Sequence, residues 1–265
     1  MTSPSQPDVV DGRAPDDIAR LADPALTAVI VRLPERPPWL DELEQAVVAG
    51  KLLVERTTLE SVSLDDFASW ARDALADAPA GVSAALRDDM AGIVAQVMET
   101  ARIGRVMVRV FTEAPTRRCG FHVDTVPPQA PTIGALRVYN GATTEYVHGE
   151  DVLGMAEFYG YLAHRERLSR EAARAGWTKG FTGGEAFDEL VAMDERPSFL
   201  RTRTVIHQVP PDATVYFRHL DVRRHWSPHP VSDAWIHRSP MCGGARLVLN
   251  VSPAERVPVR RPGPE

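Results

Sequence analysis

The period of the hydrophobic pattern changes near residue 105, and with it the kind of element the chain can form. Upstream, apolar residues recur at helical spacing in PPWLDELEQAVVAG, SLDDFASWARDALADA and VSAALRDDMAGIVAQVMETAR. Downstream they alternate, first in RVMVRVF, and short β-rich runs continue to ARLVLNV. A helix gathers residues i, i+3 and i+4 on one face, whereas a strand sends neighbours to opposite faces, so one segment cannot serve both periods. The chain is therefore read as α+β. A single domain is expected over 25–255, with a helical N-terminal layer at about 25–104 and a β core at about 105–252.

Local signals set the boundaries. LTAVIVRL at 26–33 is apolar and β-branched and reads as a buried strand. Proline ahead of the first turn and glycine at the end frame a helix over about 38–49. Ser63, followed by Asp65 and Asp66, opens a second helix, and a third runs to about residue 102. In the β part, GFHVDTV ends at a Pro-Pro pair and TIGALRVYN stops at the turn signal Asn140-Gly141. A helix at about 155–175, closed by Gly176, interrupts the strands. FLRTRTVIHQV, ATVYF, DAWIHR and ARLVLNV then resume them. Many short strands after a helical start predict a double-stranded β-helix, the jelly roll of cupin-like proteins, with helices added outside. An α+β sheet without a cavity is the plainer alternative. Residues 1–24 read as a disordered polar tail and 256–265 as a loose proline-rich one.

Composition narrows the function. The 265 residues carry a formal net charge of −6 and no basic stretch, which argues against nucleic acid as a partner. No apolar run approaches the ~20 residues needed to span a bilayer. The N-terminus lacks the basic start and apolar centre of a secretory signal, so a cytoplasmic protein is expected. Two cysteines are too few for a disulfide scaffold. A phosphate-cradling glycine loop, a G-x-S-x-G elbow and a paired-glycine dinucleotide fingerprint are all missing, which argues against a kinase, a serine hydrolase and a nicotinamide enzyme. Oligomeric state is left open.

The candidate chemistry sits in CGFHVD. His122 and Asp124, two apart on a strand, share a face and can hold one metal ion. His237 in AWIHRSP is the candidate third ligand, and Arg246, nine residues on, opens the last strong strand. Two imidazoles and one carboxylate bind a divalent metal while leaving positions open for O2 and a substrate. Arg246 would then serve an anionic co-substrate. Arg137 and Tyr139 also share a face and would bind co-substrate or substrate if that face lines the cavity. Competing readings remain. These histidines can be hydrogen-bonded structural residues, and the arginines can be partners of buried carboxylates. Cys119-x2-His122 with His237-x4-Cys242 would suit tetrahedral Zn(II) in a non-catalytic zinc-binding or metal-homeostasis protein. HLDVRRHWSPHP at 219–230 reads as a loop, either a lid over an anionic substrate or a solvated segment.

Over roughly residues 105–252, HVD, the distal His237 and the following Arg246 resemble the iron(II)/2-oxoglutarate-dependent dioxygenase superfamily. The resemblance implies Fe(II) on His122, Asp124 and His237, with Arg246 pairing the distal carboxylate of 2-oxoglutarate. It also implies an O2-dependent hydroxylation or desaturation of a small molecule. An aspartate at 124 argues within that resemblance against a halogenase, which needs a small residue there. A cupin-like metal enzyme without an organic co-substrate, such as an isomerase, is a third reading. CGFHVDTVP, YNGATTEYV and IHRSP also resemble a bacterial family of uncharacterised proteins with a C-x-x-F-H-x-D core.

Overall fold

The computed structural model describes residues 8–115, 120–174 and 185–254. In chain order, Val9–Gly12 (β1) and Ala28–Arg32 (β2) precede helix Pro38–Val48 (α1), strand Thr57–Val62 (β3) and helices Leu64–Ala74 (α2) and Ala80–Ala101 (α3). The strands Val106–Glu113 (β4), Thr125–Val126 (β5), Ile133–Val138 (β6) and Glu145–Tyr146 (β7) follow. Two helices come next, Met155–Arg174 (α4) and Glu185–Glu195 (α5). The chain returns to strands at His207–Gln208 (β8), Ala213–Arg218 (β9), Leu220–Asp221 (β10), His237–Arg238 (β11) and Arg246–Pro253 (β12).

The molecule is a mixed helix and sheet structure around a seven-stranded sheet of order β1-β2-β9-β6-β12-β4-β3. Pairing in it is antiparallel except for β1 on β2. A three-stranded sheet, β11-β7-β8, and the short pair β10-β5 complete the strands. Alternation assigns the two faces of the large sheet. Val106, Val108, Val110, Leu247, Leu249 and Val251 point to one side, where Leu40, Leu43, Phe67, Leu86, Met90 and Val94 of the three N-terminal helices cover them. Leu136, Val138, Val215, Phe217 and Val248 point to the other and pack with Tyr146 of the smaller sheet and with Trp235 just ahead of β11. Outside the smaller sheet, Phe121, Val123 and Ile236 join Phe158 and Tyr161 of α4 and Phe199 in a third cluster. The order of layers is helices, large sheet, small sheet, helices.

The strong periodic segments form as expected. Ser63 caps α2, its side chain accepting from Asp66 N while the Asp66 carboxylate accepts from Ser63 N. Gly141 adopts a left-handed φ of 70° at the turn after β6.

Several expectations need correction. Residues 8–24 are not a loose tail. β1 is hydrogen-bonded to β2, and a 3-10 helix over Pro15–Ala22 buries Ile18 and Leu21. Four strand residues and two apolar contacts are too little periodicity to read from sequence. β3 and α5 also lie outside the expected elements. β3 has no fully buried residue and only Leu59 and Val62 are apolar, so it carries no alternating apolar signal. GFHVDTV, FLRTRTVIHQV and DAWIHR yield only two-residue strands (β5, β8, β11). Gly176 lies outside the described residues.

Candidate metal centre

One antiparallel bridge brings two distant histidines together. His122 N donates to His237 O at 2.8 Å, and His237 N donates back to His122 O at 3.1 Å. The imidazole centroids lie 4.5 Å apart. Two residues on, Leu220 N donates to Asp124 O and holds β5 against β10, which turns the Asp124 carboxylate toward both rings. His122 Nε2 is 3.7 Å from one carboxylate oxygen and His237 Nε2 is 3.9 Å from the other. One donor atom from each of the three residues lies within 4.8 Å of the others.

Each ring is oriented through its far nitrogen. His122 Nδ1 is 2.9 Å from Gly120 O, and His237 Nδ1 is 3.2 Å from Trp235 O. A carbonyl accepts only, so Nδ1 carries the proton and Nε2 keeps its lone pair for a metal. A third imidazole, His219, has Nε2 4.0 Å from Asp124, but that nitrogen is engaged with Ser252 Oγ at 2.9 Å and its Nδ1 faces Thr132 O. His219 therefore supports the site and is not a free donor. It fits only because residue 134 is glycine, where a Cβ would collide with its ring and with Val251 O.

The electrostatics suit a cation. Burial works against the Asp124 charge, but His237, His122 and His219, together with the Asn250 amide, hold the carboxyl well below the usual range. Asn250 Nδ2 donates to Asp124 Oδ2 at 3.3 Å, and Ser252 Oγ donates to Asn250 Oδ1 at 3.2 Å. Burial, reinforced by His122, pushes the His237 pKa down from its ordinary value. An ionised carboxylate and neutral imidazoles are the donor forms a divalent metal requires.

The centre opens on a cavity of about 150 Å³ between the two sheets, walled by Leu136, Thr144 and Val248. Arg246, 4% exposed, reaches the same cavity. Asn140 positions it, accepting from Leu247 N and donating to Ala245 O on either side. Its guanidinium donates to Ala142 O and to Ser239 Oγ, and burial brings its pKa down to about 10. Among the described residues it has no carboxylate partner, and its buried Nε has no acceptor. A buried cation left in this state invites an anion.

Arg137 and Tyr139 do not share this cavity. They do lie on one face, but it is the face covered by helices. Tyr139 Oη donates to Asp89 of α3 at 2.8 Å, and Arg137 Nε lies 3.3 Å from the same carboxylate. Alternation places Leu136 at the cavity instead. The segment 219–230 is not a lid over the site, since His225, Trp226 and His229 pack around Tyr159 of α4. Cys242 is exposed and outside the donor group, and Cys119 lies outside the described residues. Sequence reasoning missed Asn250, Ser252, Ser239 and Arg109. Asn250 had a signal, since it follows Arg246 by four residues on one strand and so shares its face.

No protein-family model and no curated protein matches the sequence, so the likeness to a C-x-x-F-H-x-D family is without support. Among solved structures, the chain is similar to a rice dioxygenase for auxin oxidation, with a TM-score of 0.40, 13% identity, and coverage of 96% of this chain and 86% of that one. It is also similar to a full-length Neurospora crassa protein in complex with alpha-KG, with a TM-score of 0.39, 10% identity, and coverage of 97% and 90%. For the complex of that protein with alpha-KG and 5-formyluracil the TM-score is 0.37 at 10% identity, with coverage of 92% and 81%.

Proposed function

We propose that this chain is a non-haem Fe(II)- and 2-oxoglutarate-dependent oxygenase that hydroxylates or desaturates a small molecule, built on a jelly-roll core. The observation that carries the reading is the pairing, in one cavity, of a His122–Asp124–His237 donor set with the buried guanidinium of Arg246, which has no carboxylate partner among the described residues. The donor chemistry fits Fe(II), since two imidazoles and one carboxylate leave positions open for other ligands. Bound there, Fe(II) with 2-oxoglutarate and O2 supplies the oxidising power.

The chain's own residues do the rest. His122 and His237 present Nε2, fixed by their Nδ1 contacts to carbonyls. Asp124 supplies the negative charge and is steadied by Asn250. Arg246 receives the far carboxylate of the co-substrate in a two-pronged pair, and Ser239 fixes the plane of its guanidinium. Leu136 and Val248 give the cavity an apolar wall that excludes water around the reacting centre.

Anaerobic addition of Fe(II) and then 2-oxoglutarate to metal-free protein tests this. A weak visible charge-transfer band is expected only with both present, absent in Asp124→Ala and in Arg246→Ala. No band, with tight Zn(II) retention that depends on Cys119 and Cys242, would replace the oxygenase by a zinc-binding protein.

A further inference from the structure

A second cation faces the cavity and has no assigned role. Arg109 lies on β4 directly opposite Asn250 of β12, and in-register partners of an antiparallel pair share a face. Arg109 and Arg246 both line the cavity, but at different ends. Arg246 pairs across the ladder with Glu113, four residues from the Arg109–Asn250 pair, which is about 13 Å at the rise of an extended strand. Among the described residues Arg109 has no carboxylate within ion-pair distance, and its side chain makes only a weak 3.8 Å approach to Met107 Sδ. The third arginine at the cavity, Arg56, differs. It forms a two-pronged pair with Glu113 and lies over the Phe111 ring at 3.8 Å.

Charge then decides what the cavity still needs. With Arg56 balanced by Glu113, the remaining fixed charges are Asp124, Arg246 and Arg109. A divalent metal added to these leaves three positive charges, and dianionic 2-oxoglutarate cancels two. One positive charge is left, at the Arg109 end, in a half-enclosed space where charge is poorly screened.

We infer that the substrate is a small monoanion whose carboxylate or phosphate ester sits on Arg109, at the end of the cavity opposite Arg246. The inference rests on the oxygenase reading, because it assigns Arg246 to the co-substrate. Arg109 thereby selects an acidic substrate over its neutral amide and fixes which of its C–H bonds lies near the metal.

Calorimetry on Mn(II)-loaded protein, with and without 2-oxoglutarate, tests this using benzoate, hexanoate, phenyl phosphate and the neutral benzamide and hexanamide. At least one anion is expected to bind, to weaken as salt rises, and to lose about tenfold or more in Arg109→Gln, while the amides fail to bind. Binding by the carboxylates alone or by phenyl phosphate alone identifies the headgroup. Arg109→Lys keeps the charge and should recover part of the affinity, which separates lost recognition from misfolding. 2-Oxoglutarate affinity should be unchanged in Arg109→Gln and reduced in Arg246→Gln. The inference is overturned if no anion binds, if anions bind Arg109→Gln as well as the original protein, or if Arg109→Gln is the variant that loses 2-oxoglutarate. Failure of the oxygenase reading is distinct. In that case 2-oxoglutarate does not bind the unaltered protein, and the anion titration without it still reads Arg109.

Discussion

Asp124 is the residue on which the centre turns, and its orientation depends on a short polar chain. Asn250 donates to the carboxylate, Ser252 donates to Asn250, and His219 closes on Ser252. Groups that orient a metal ligand are typically worth 10–100-fold in metal affinity. Asn250→Ala should weaken Fe(II) or Mn(II) binding by about that factor, measured by competition with a chromogenic chelator, while the circular dichroism spectrum is unchanged. Equal affinity in the variant would mean that the backbone alone orients Asp124. The four residues that sequence reasoning places at the centre are readable because each carries local information. His122 and Asp124 stand two apart just ahead of the strand Thr125–Val126, and His237 and Arg246 stand where strands begin. Arg137 and Tyr139 show the limit of that reasoning. Alternation says that two residues share a face but not which layer the face meets, and here it meets Asp89 of a helix. Arg109 is one more alternating residue in a strand, and only the register with Asn250 gives it a meaning.

At the scale of elements, the segment carrying His122 and Asp124 is held less by strand pairing than by α4 and α5. Tyr161 Oη accepts from Phe121 N and donates to Asp194, which also receives a two-pronged pair from Arg165. Arg238, next to His237, donates to Asp194 O and pairs with Glu145 at 2.7 Å. Both segments that carry the candidate donors are thus tied to one buried polar cluster. Gly120 passes so close to it that a Cβ would collide with Arg165 and the Tyr161 hydroxyl. Gly120→Ala should therefore cost about 1–3 kcal/mol of stability and also weaken metal binding, since relief of the clash moves His122. Thermal unfolding and the chelator competition check the two effects, and lost stability at unchanged metal affinity would uncouple the cluster from the centre. The long helices are legible because their apolar faces repeat over several turns. The two-residue strands are not, since two residues hold no period. Their place is set by bridges such as His122 to His237, which join positions more than a hundred residues apart.

Across the whole molecule, the cavity exists because two sheets face each other, and the first described residues help to fasten them. The Asp8 carboxylate accepts from Thr27 Oγ1 beside β2 and from Gly149 N beyond β7, and lies 2.8 Å from His148 Nδ1. The ion pair is largely enclosed, with 14% of the Asp8 and 17% of the His148 side chain exposed. The hydrogen bond to Asp8 raises the His148 pKa from the ordinary 6.5 against the opposing effect of burial, with smaller help from Asp151 and Glu150. His207, its ring 4.6 Å away, is shifted down by burial and by the His148 charge, so it does not compete for the proton. A histidine whose folded-state pKa is raised binds its proton more tightly when folded. The stabilisation is therefore complete below about pH 6 and disappears as pH rises through the raised value. Asp8→Asn keeps the shape but removes the charge, so it should cost about 1 kcal/mol at pH 5.5–6 and measurably less near pH 8.5. Thermal unfolding at the two pH values decides the matter. An equal loss at both would mean that the Thr27 and Gly149 hydrogen bonds, and not the ion pair, fasten the first strand across the sheets.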